Sequence, residues 1–304
     1  MALSMPAISL AAVPGRRKLI IEAAQQAEER GFTGVYLPSL GDNMSLATAL
    51  ASATSRIPFG TSIAPIYFRS PLDLAQAAAF IHEISDGRFR FGVGVSHAPT
   101  HARYGVTVGK PLGDMRQFVE TVKAVPRVGD LPPIVIAALR KKMIALGAEI
   151  ADGIVFANAS RSHMPTSLQG LPDDLRTNDA FFIGNMIPTC ISDDEAAAAA
   201  VNRRTLTSYA ALANYRNYWR EAGYEEEMDG VQACIDAGDA SQIPNHLSDR
   251  WLEDNTLFGP PAKILAGLEA WAEAGIKTPI LVPSSAQGNQ LAAIQELFEL
   301  CARI

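Results

Sequence analysis

Apolar and polar positions in this chain alternate between short buried runs and longer amphipathic stretches. The pattern is clearest over residues 57–97. Residues 58–65 read as a strand, 70–84 as a helix and 88–95 as a second strand. Ser70-Pro71 offers a hydroxyl at the N-cap and a proline at the first helical position. Leu74, Ala77, Ala78, Ile81 and Ile84 then recur at helical spacing. Asp86-Gly87 turns the chain out of the helix. Beyond it Phe89, Phe91, Val93 and Val95 alternate with Arg88, Arg90, Gly92 and Gly94, the period of a strand. Strand, helix and strand of these lengths make a βαβ unit, so the two strands should be parallel.

The same alternation runs through the rest of the sequence. Further strands are expected at 8–13, 35–37, 134–137, 154–157, 181–190 and 280–283. Helices are expected at 16–30, 45–55, 114–125, 142–151, 262–274 and 289–301, with another opened by Asp193-Asp194-Glu195 and a loop over 97–113. Eight apolar strands, each followed by a helix, give the α/β class and the strand count of a TIM (β/α)8 barrel. Residues 205–258 exceed that count. They carry Tyr209, Tyr215, Tyr218, Trp219, Tyr224 and Trp251 without a strand period, and read as a helical insertion before the last strand whose aromatics pack extra helices.

At 304 residues, 48% of them apolar, the chain is long enough for one barrel domain over 1–304. A net charge of −6 argues against nucleic-acid and anionic-membrane partners. Cys190, Cys234 and Cys301 form no CxxC pair, which fits buried thiols in a reducing compartment. The stretch 1–15 has no basic residue ahead of its apolar part, so it makes a poor signal peptide, and no later run is long enough to span a bilayer. The expectation is a soluble, cytoplasmic protein.

The active site of a TIM barrel lies at the C-terminal ends of its strands. That ring comprises Ser39, Leu40, Ser62, Ile63, Ser96, His97, Ala138, Leu139, Arg140, Asn158, Ser284 and Ser285. His97 is the candidate acid/base, because an imidazole can donate or accept a proton near neutrality. A hydrogen-bonded structural histidine at a strand end is the alternative. His101 lies four residues on, but Pro99 between them argues against a shared helix face, and no HExxH motif accompanies them. Gly92 and Gly94 bare one face of their strand, which marks close approach by a neighbouring side chain or a flat ligand. Gly92-x-Gly94 lacks a third glycine and is followed by Pro99, so a Rossmann phosphate site is rejected. Arg140, Lys141 and Lys142 open a helix whose free amides and positive charge suit a phosphate or carboxylate, or simply a solvated face. No GxSxG motif is present.

Three runs together resemble the luciferase-like monooxygenase superfamily. They are Gly31-Phe32-x-x-Val35; Arg56-Ile57-x-x-Gly60-Thr61-Ser62-Ile63-x-Pro65-x-x-x-Arg69-Ser70-Pro71; and Asp86-Gly87-Arg88-Phe89-x-x-Gly92-Val93-Gly94-Val95-Ser96-His97. The Gly-Thr-Ser-Ile-x-Pro form, with Gly-Val-Gly-x-Ser-His and Ala151-Asp152-Gly153, is more similar to the branch that uses the deazaflavin coenzyme F420. The resemblance implies a TIM barrel with a late insertion, commonly dimeric, binding a flavin or deazaflavin at the strand ends. It also implies a non-prolyl cis peptide at Ser62-Ile63 behind the ring. Cofactor contacts would then fall on Ser39, Ser62, Ile63, Gly94, Val95, Ser96, Ala138, Leu139, Arg140 and Asn158. The sugar-phosphate dehydrogenase of that branch has Asp-His at the end of its second strand and Glu after its fourth. Ser39, Leu40 and His97 stand at those positions here, so that activity is not expected. What is expected is an F420-dependent oxidoreductase that transfers a hydride to or from a small organic substrate. The runners-up are an FMN-dependent monooxygenase, a metal-dependent hydrolase using His97, His101 and His163, and a non-catalytic cofactor-binding protein.

Overall fold

A computed structural model describes residues 4–304. Residues 1–3, and with them the beginning of the stretch read for a leader, lie outside the described residues. The chain divides into two compact units. One comprises 5–156 with 168–184, the other 157–167 with 185–304.

The first unit repeats strand and helix. Its strands are β1 (Ala7–Ser9), β2 (Val35–Leu37), β3 (Phe59–Thr61), β4 (Ala64–Pro65), β5 (Phe89–Gly94), β6 (Ile134–Ala137) and β7 (Gly153–Ala157), the last running to the unit's edge. Its helices are α1 (Arg17–Glu29), α2 (Asn43–Ala53), α3 (Pro71–Ile84), α4 (Ala98–Tyr104), α5 (Pro111–Ala124) and α6 (Lys141–Ile150). Neighbouring strands pair in parallel and in chain order, β1 with β2, β2 with β3, β3 and β4 with β5, β5 with β6 and β6 with β7. Parallel strands joined through helices are buried on both faces, and nearly every strand residue here is buried. The outer face of β5 carries the bulk, with the Phe91 ring 6.5 Å from that of Phe118 on α5. On the opposite face the Arg90 guanidinium lies 5.4 Å from the Phe182 ring, which in turn sits 5.3 Å from Tyr36.

Two charged side chains set where these elements start and stop. Arg88, one residue before β5, donates to the carbonyls of Ala51, Thr54, Ile57 and Ser85, gathering the ends of α2 and α3 and the approach to β3. Glu28, near the end of α1, accepts the amides of Ser55, Arg56 and Ile57 on the same approach. Helix α3 begins as its sequence predicts, with the Ser70 hydroxyl accepting the Asp73 amide at 3.1 Å and proline in the first turn.

The second unit holds the aromatic-rich segment. Helix α7 (Met164–Leu168) and β8 (Phe182–Ile191) cross between the units in sequence, and α8 (Asp173–Thr177) lies in the first. Then come α9 (Glu195–Ala210), α10 (Ala213–Glu221), α11 (Glu225–Asp236), a 3-10 turn, α12 (Ile243–His246), α13 (Asp249–Asn255), β9 (Leu257–Gly259), α14 (Pro261–Glu273), β10 (Thr278–Ser284) and α15 (Gln290–Cys301). Tyr215, Tyr218, Trp219, Tyr224 and Trp251 are all buried. Trp219 packs against Tyr215 at 5.3 Å and edge-on against Trp251 at 4.8 Å, so these aromatics do serve as helix packing. Strand β9 was not expected. Three residues are too short to show a period, and what makes it a strand is pairing, Thr189 to Ile191 of β8 opposite Leu257 to Gly259. Among the described residues no helix is long and apolar enough to cross a membrane.

Two further expectations are corrected. The strand expected over 58–65 is two strands, because the chain breaks at Ser62-Ile63, where the peptide bond is cis. The loop expected over 97–113 contains α4. Pro99 sits in its first turn, where the missing N–H costs nothing, so proline opens this helix rather than preventing it.

Candidate functional site

The candidate residues of the first unit lie at or just beyond the C-terminal ends of β2, β3, β5 and β6. Ser39 and Leu40, past the end of β2, are exposed. The break at Ser62-Ile63 is tied to that strand end. The Ser62 amide donates to the Leu37 carbonyl at 2.6 Å, and the Asn43 side chain reaches the Pro38 carbonyl at 3.3 Å and the Ile63 carbonyl at 3.0 Å. Asn43 does not stand out in the sequence. The available signal is the polar run Asp42-Asn43-x-Ser45 after Gly41, in which Asp42 caps α2 by accepting the Ser45 amide.

The two bare positions of β5 are filled from within the protein. A Cβ on Gly92 would stand 1.8 Å from the Thr61 carbonyl oxygen, and one on Gly94 would stand 2.7 Å from Ile63 Cγ1. Close approach is real at both, and what approaches is the neighbouring strand and the Ile63 side chain. Thr61 completes the seam by donating from its hydroxyl to the Gly92 carbonyl at 2.7 Å.

Past Gly94 the chain makes a turn. Ser96 has φ 59°, the left-handed region that few residues other than glycine adopt. The turn delivers His97 to the N-cap of α4, half-buried, at the end of β5. Burial, and then the positive charge of His101, push the His97 pKa below its ordinary value of 6.5. At neutral pH its ring is therefore uncharged, with one nitrogen able to donate and the other to accept. His101 lies within α4 and His97 caps its start. Their separate tasks show in the bonding, since His101 Nε2 lies 2.6 Å from the Val95 carbonyl and donates to it.

At the end of β6, Ala138 is buried and its amide donates to the Val155 carbonyl at 3.0 Å. Leu139 is half-buried, and Arg140 is the N-cap of α6. No side chain caps that helix, and Arg140, Lys141 and Lys142 are exposed around its opening amides. A helix start with no side-chain cap and a cluster of cations has the chemistry of an anion site.

In the second unit, Asn158 is buried just past β7 with φ 55°, its amide bonded to the Met186 carbonyl at 3.0 Å. Its side chain engages the hydroxyls of Tyr209 and Tyr215. The loop after it is held by the aromatic-rich helices. Asn255 accepts the Ser160 hydroxyl and the Trp219 indole N–H, each at 2.8 Å. Asp254 accepts the Ser162 amide and hydroxyl and the Tyr224 hydroxyl. Ser285, past β10, donates to Glu296 at 2.7 Å. Among the described residues no group of three or more His, Cys, Asp or Glu side chains is placed to hold a metal ion.

Comparison with known proteins adds to this geometry. The sequence profile of the luciferase-like monooxygenases matches residues 7–278. The chain is similar to the 5,10-methylenetetrahydromethanopterin reductase of Archaeoglobus fulgidus, 25% identical over 281 residues that cover 82% of this chain and 85% of that protein. In structure it is similar to the coenzyme F420-dependent tetrahydromethanopterin reductase of Methanopyrus kandleri, with a TM-score of 0.74, 17% identity and coverage of 97% of this chain and 98% of the other. It is also similar to the FMN complex of the oxygenating component of 3,6-diketocamphane monooxygenase from Pseudomonas putida, with a TM-score of 0.63, 14% identity and coverage of 98% and 96%. These likenesses show the fold, the TIM (β/α)8 barrel that the strand count predicts.

Proposed function

The chain belongs to the luciferase-like monooxygenase family, and on that premise we propose that it is an oxidoreductase that uses the deazaflavin coenzyme F420 to move a hydride to or from a small organic substrate. The observation that carries the reading is the opening of α6, where uncapped amides and the exposed Arg140, Lys141 and Lys142 lie at the end of a barrel strand. That arrangement fits the anionic tail of such a coenzyme. The similarity to F420-dependent enzymes supports the choice of coenzyme.

When bound, the coenzyme supplies the hydride chemistry at a ring carbon. The chain's own residues do the rest. Asn43 and the Ser62 amide hold the break at Ser62-Ile63 against the end of β2, which would give the ring a fixed wall. Gly94, Val95 and Ser96 would offer backbone to the ring at the end of β5, beside the Ile63 side chain that packs on Gly94, and Ser39, Ala138 and Leu139 would be its other neighbours. His97, neutral at pH 7, holds or moves the proton that accompanies the hydride at the substrate oxygen or nitrogen. The molecule works as a homodimer in solution, a second copy covering the exposed apolar stripe of α3.

The test is a titration of purified protein with the deazaflavin and, separately, with flavin mononucleotide, followed by fluorescence. Micromolar or tighter binding of the deazaflavin is expected. The double variant Lys141→Glu/Lys142→Glu should weaken it by about tenfold or more, with the difference shrinking in high salt. Preference for flavin mononucleotide would sink the F420 assignment and move the protein to oxygen chemistry.

A further inference from the structure

Three side chains of the first unit that are not themselves among the proposed cofactor positions converge on the turn carrying Ser96 and His97. Asp114, on α5, accepts two hydrogen bonds at one oxygen, from the Tyr67 hydroxyl at 2.6 Å and from the Gly109 amide at 2.8 Å. Tyr67, two residues past β4, is fixed by that bond. Its ring meets the His101 imidazole edge to face, with centroids 5.2 Å apart and planes at 85°. His101, one turn into α4, donates to the Val95 carbonyl at 2.6 Å. That carbonyl is the last acceptor before Ser96 turns left-handed. A serine in this conformation persists only where its surroundings impose it, and the three side chains lead without a gap from α5 to the peptide that imposes it. Burial, the hydrogen bond to Asp114 and its charge raise the Tyr67 pKa, so the hydroxyl stays a donor throughout the working range.

We propose that Asp114, Tyr67 and His101 are positioning residues that lock the Val95-Ser96-His97 turn in its ligand-binding conformation. The inference rests on the reading of those strand ends as the cofactor site. Tyr67 acts through His101, and His101 through a backbone carbonyl, so neither is a catalytic residue.

The experiment uses the full-length protein with 13C and 15N labelling. The Cα and Cβ shifts of Ser96, which report its φ, and the ring resonances of His97 are followed beside the deazaflavin titration in Tyr67→Phe, His101→Phe and His101→Gln. His101→Phe removes the donor to the Val95 carbonyl. It should shift Ser96 out of the left-handed range, move the His97 ring and weaken binding by about tenfold, the usual effect of one lost hydrogen bond to a partly buried carbonyl. Tyr67→Phe keeps the ring and loses only the hydroxyl, so Ser96 should move the same way by a smaller amount. His101→Gln keeps an N–H donor and should restore the Ser96 shifts and bring binding to within about threefold of the parent. Unchanged Ser96 and His97 signals in both Phe variants would overturn the proposal. Should His101→Phe not fold, Tyr67→Phe against His101→Gln decides the same question. Should the parent bind no deazaflavin, the cofactor reading falls, and the Ser96 shifts alone decide whether the relay holds the turn.

Discussion

A single added methyl separates the two glycines of β5. On Gly92 it would collide with the Thr61 backbone carbonyl, which cannot retreat without breaking the pairing of β3 with β5. On Gly94 it would press on the Ile63 side chain, which can rotate. Gly92→Ala should therefore cost about 3 kcal/mol or more, or prevent folding, and Gly94→Ala clearly less, as read by urea unfolding. Glu28 is a second such position. Burial pulls its pKa up, but the amides of Arg56, Ser55 and Ile57 outweigh it and hold the carboxyl below 4.5. A depressed carboxyl pKa adds stability above the unfolded value, and that stability is lost as pH falls through the folded one. Glu28→Gln should lower the melting temperature at pH 7, with the gap to the parent narrowing below about pH 4.5. The sign is the same for His97. A histidine pKa depressed by burial, and then by His101, means that protonation opposes folding, so its contribution is full above about pH 6.5 and falls away in acid. A histidine NMR titration should place the His97 midpoint below 6.5, and a midpoint above it would contradict the neutral ring.

Elements were legible in the sequence wherever one helix or strand carried its own period and its own caps. Ser70-Pro71 and Asp86-Gly87 bracket α3 by local chemistry alone, and its neighbours follow from the same rules. Illegible were the features set by partners distant in sequence. Asn43 acts through a carbonyl twenty residues away, β9 exists through its pairing with β8, and proline at 99 can end one helix or begin the next. The candidate site divides in the same way. His97 and the cations at 140–142 follow from strand-end position, whereas Tyr67 and Asp114 come from separate elements and carry no motif. The aromatic-rich helices show how much such distant bonding matters. Asn255 is fully buried, and its amide serves Ser160, Trp219 and the Trp251 carbonyl at once. Asn255→Leu keeps the volume and strands two donors, so it should destabilise the protein by about 2–4 kcal/mol, visible as an earlier unfolding midpoint in tryptophan fluorescence.

For the whole molecule, the proposed dimer turns on what α3 leaves uncovered. Its buried face holds Leu74, Ala75, Ala78, Ala79 and Ile81 against its own unit. Its other face carries Leu72 at 52% exposure, Phe80 at 54% and Ile84 at 36%. Counting Gln76 between the first two, the stripe advances four residues at a time, one helical turn per step, and so stays on one side of the helix. Scattered apolar residues on a surface need no explanation, but Leu72, Phe80 and Ile84 lie in one row broken only by Gln76. An apolar helix stripe is also self-complementary, because a second copy turned about a twofold axis presents the same residues in reverse order and ridges fall into grooves. The net charge of −6 works against association, so contact must come from desolvating this stripe rather than from electrostatic attraction. Placing a carboxylate at its centre should then be decisive, because burying an unpaired charge costs more than one aromatic contact returns. Phe80→Glu should sediment as a monomer at concentrations where the parent sediments as a dimer, with an unchanged circular dichroism spectrum because residue 80 faces away from its own core. High salt should not weaken the parent dimer, since apolar burial strengthens as ions draw water from the surface. A parent that sediments as a monomer, or a dimer that survives Phe80→Glu, would move the interface elsewhere and leave α3 a solvent-facing helix.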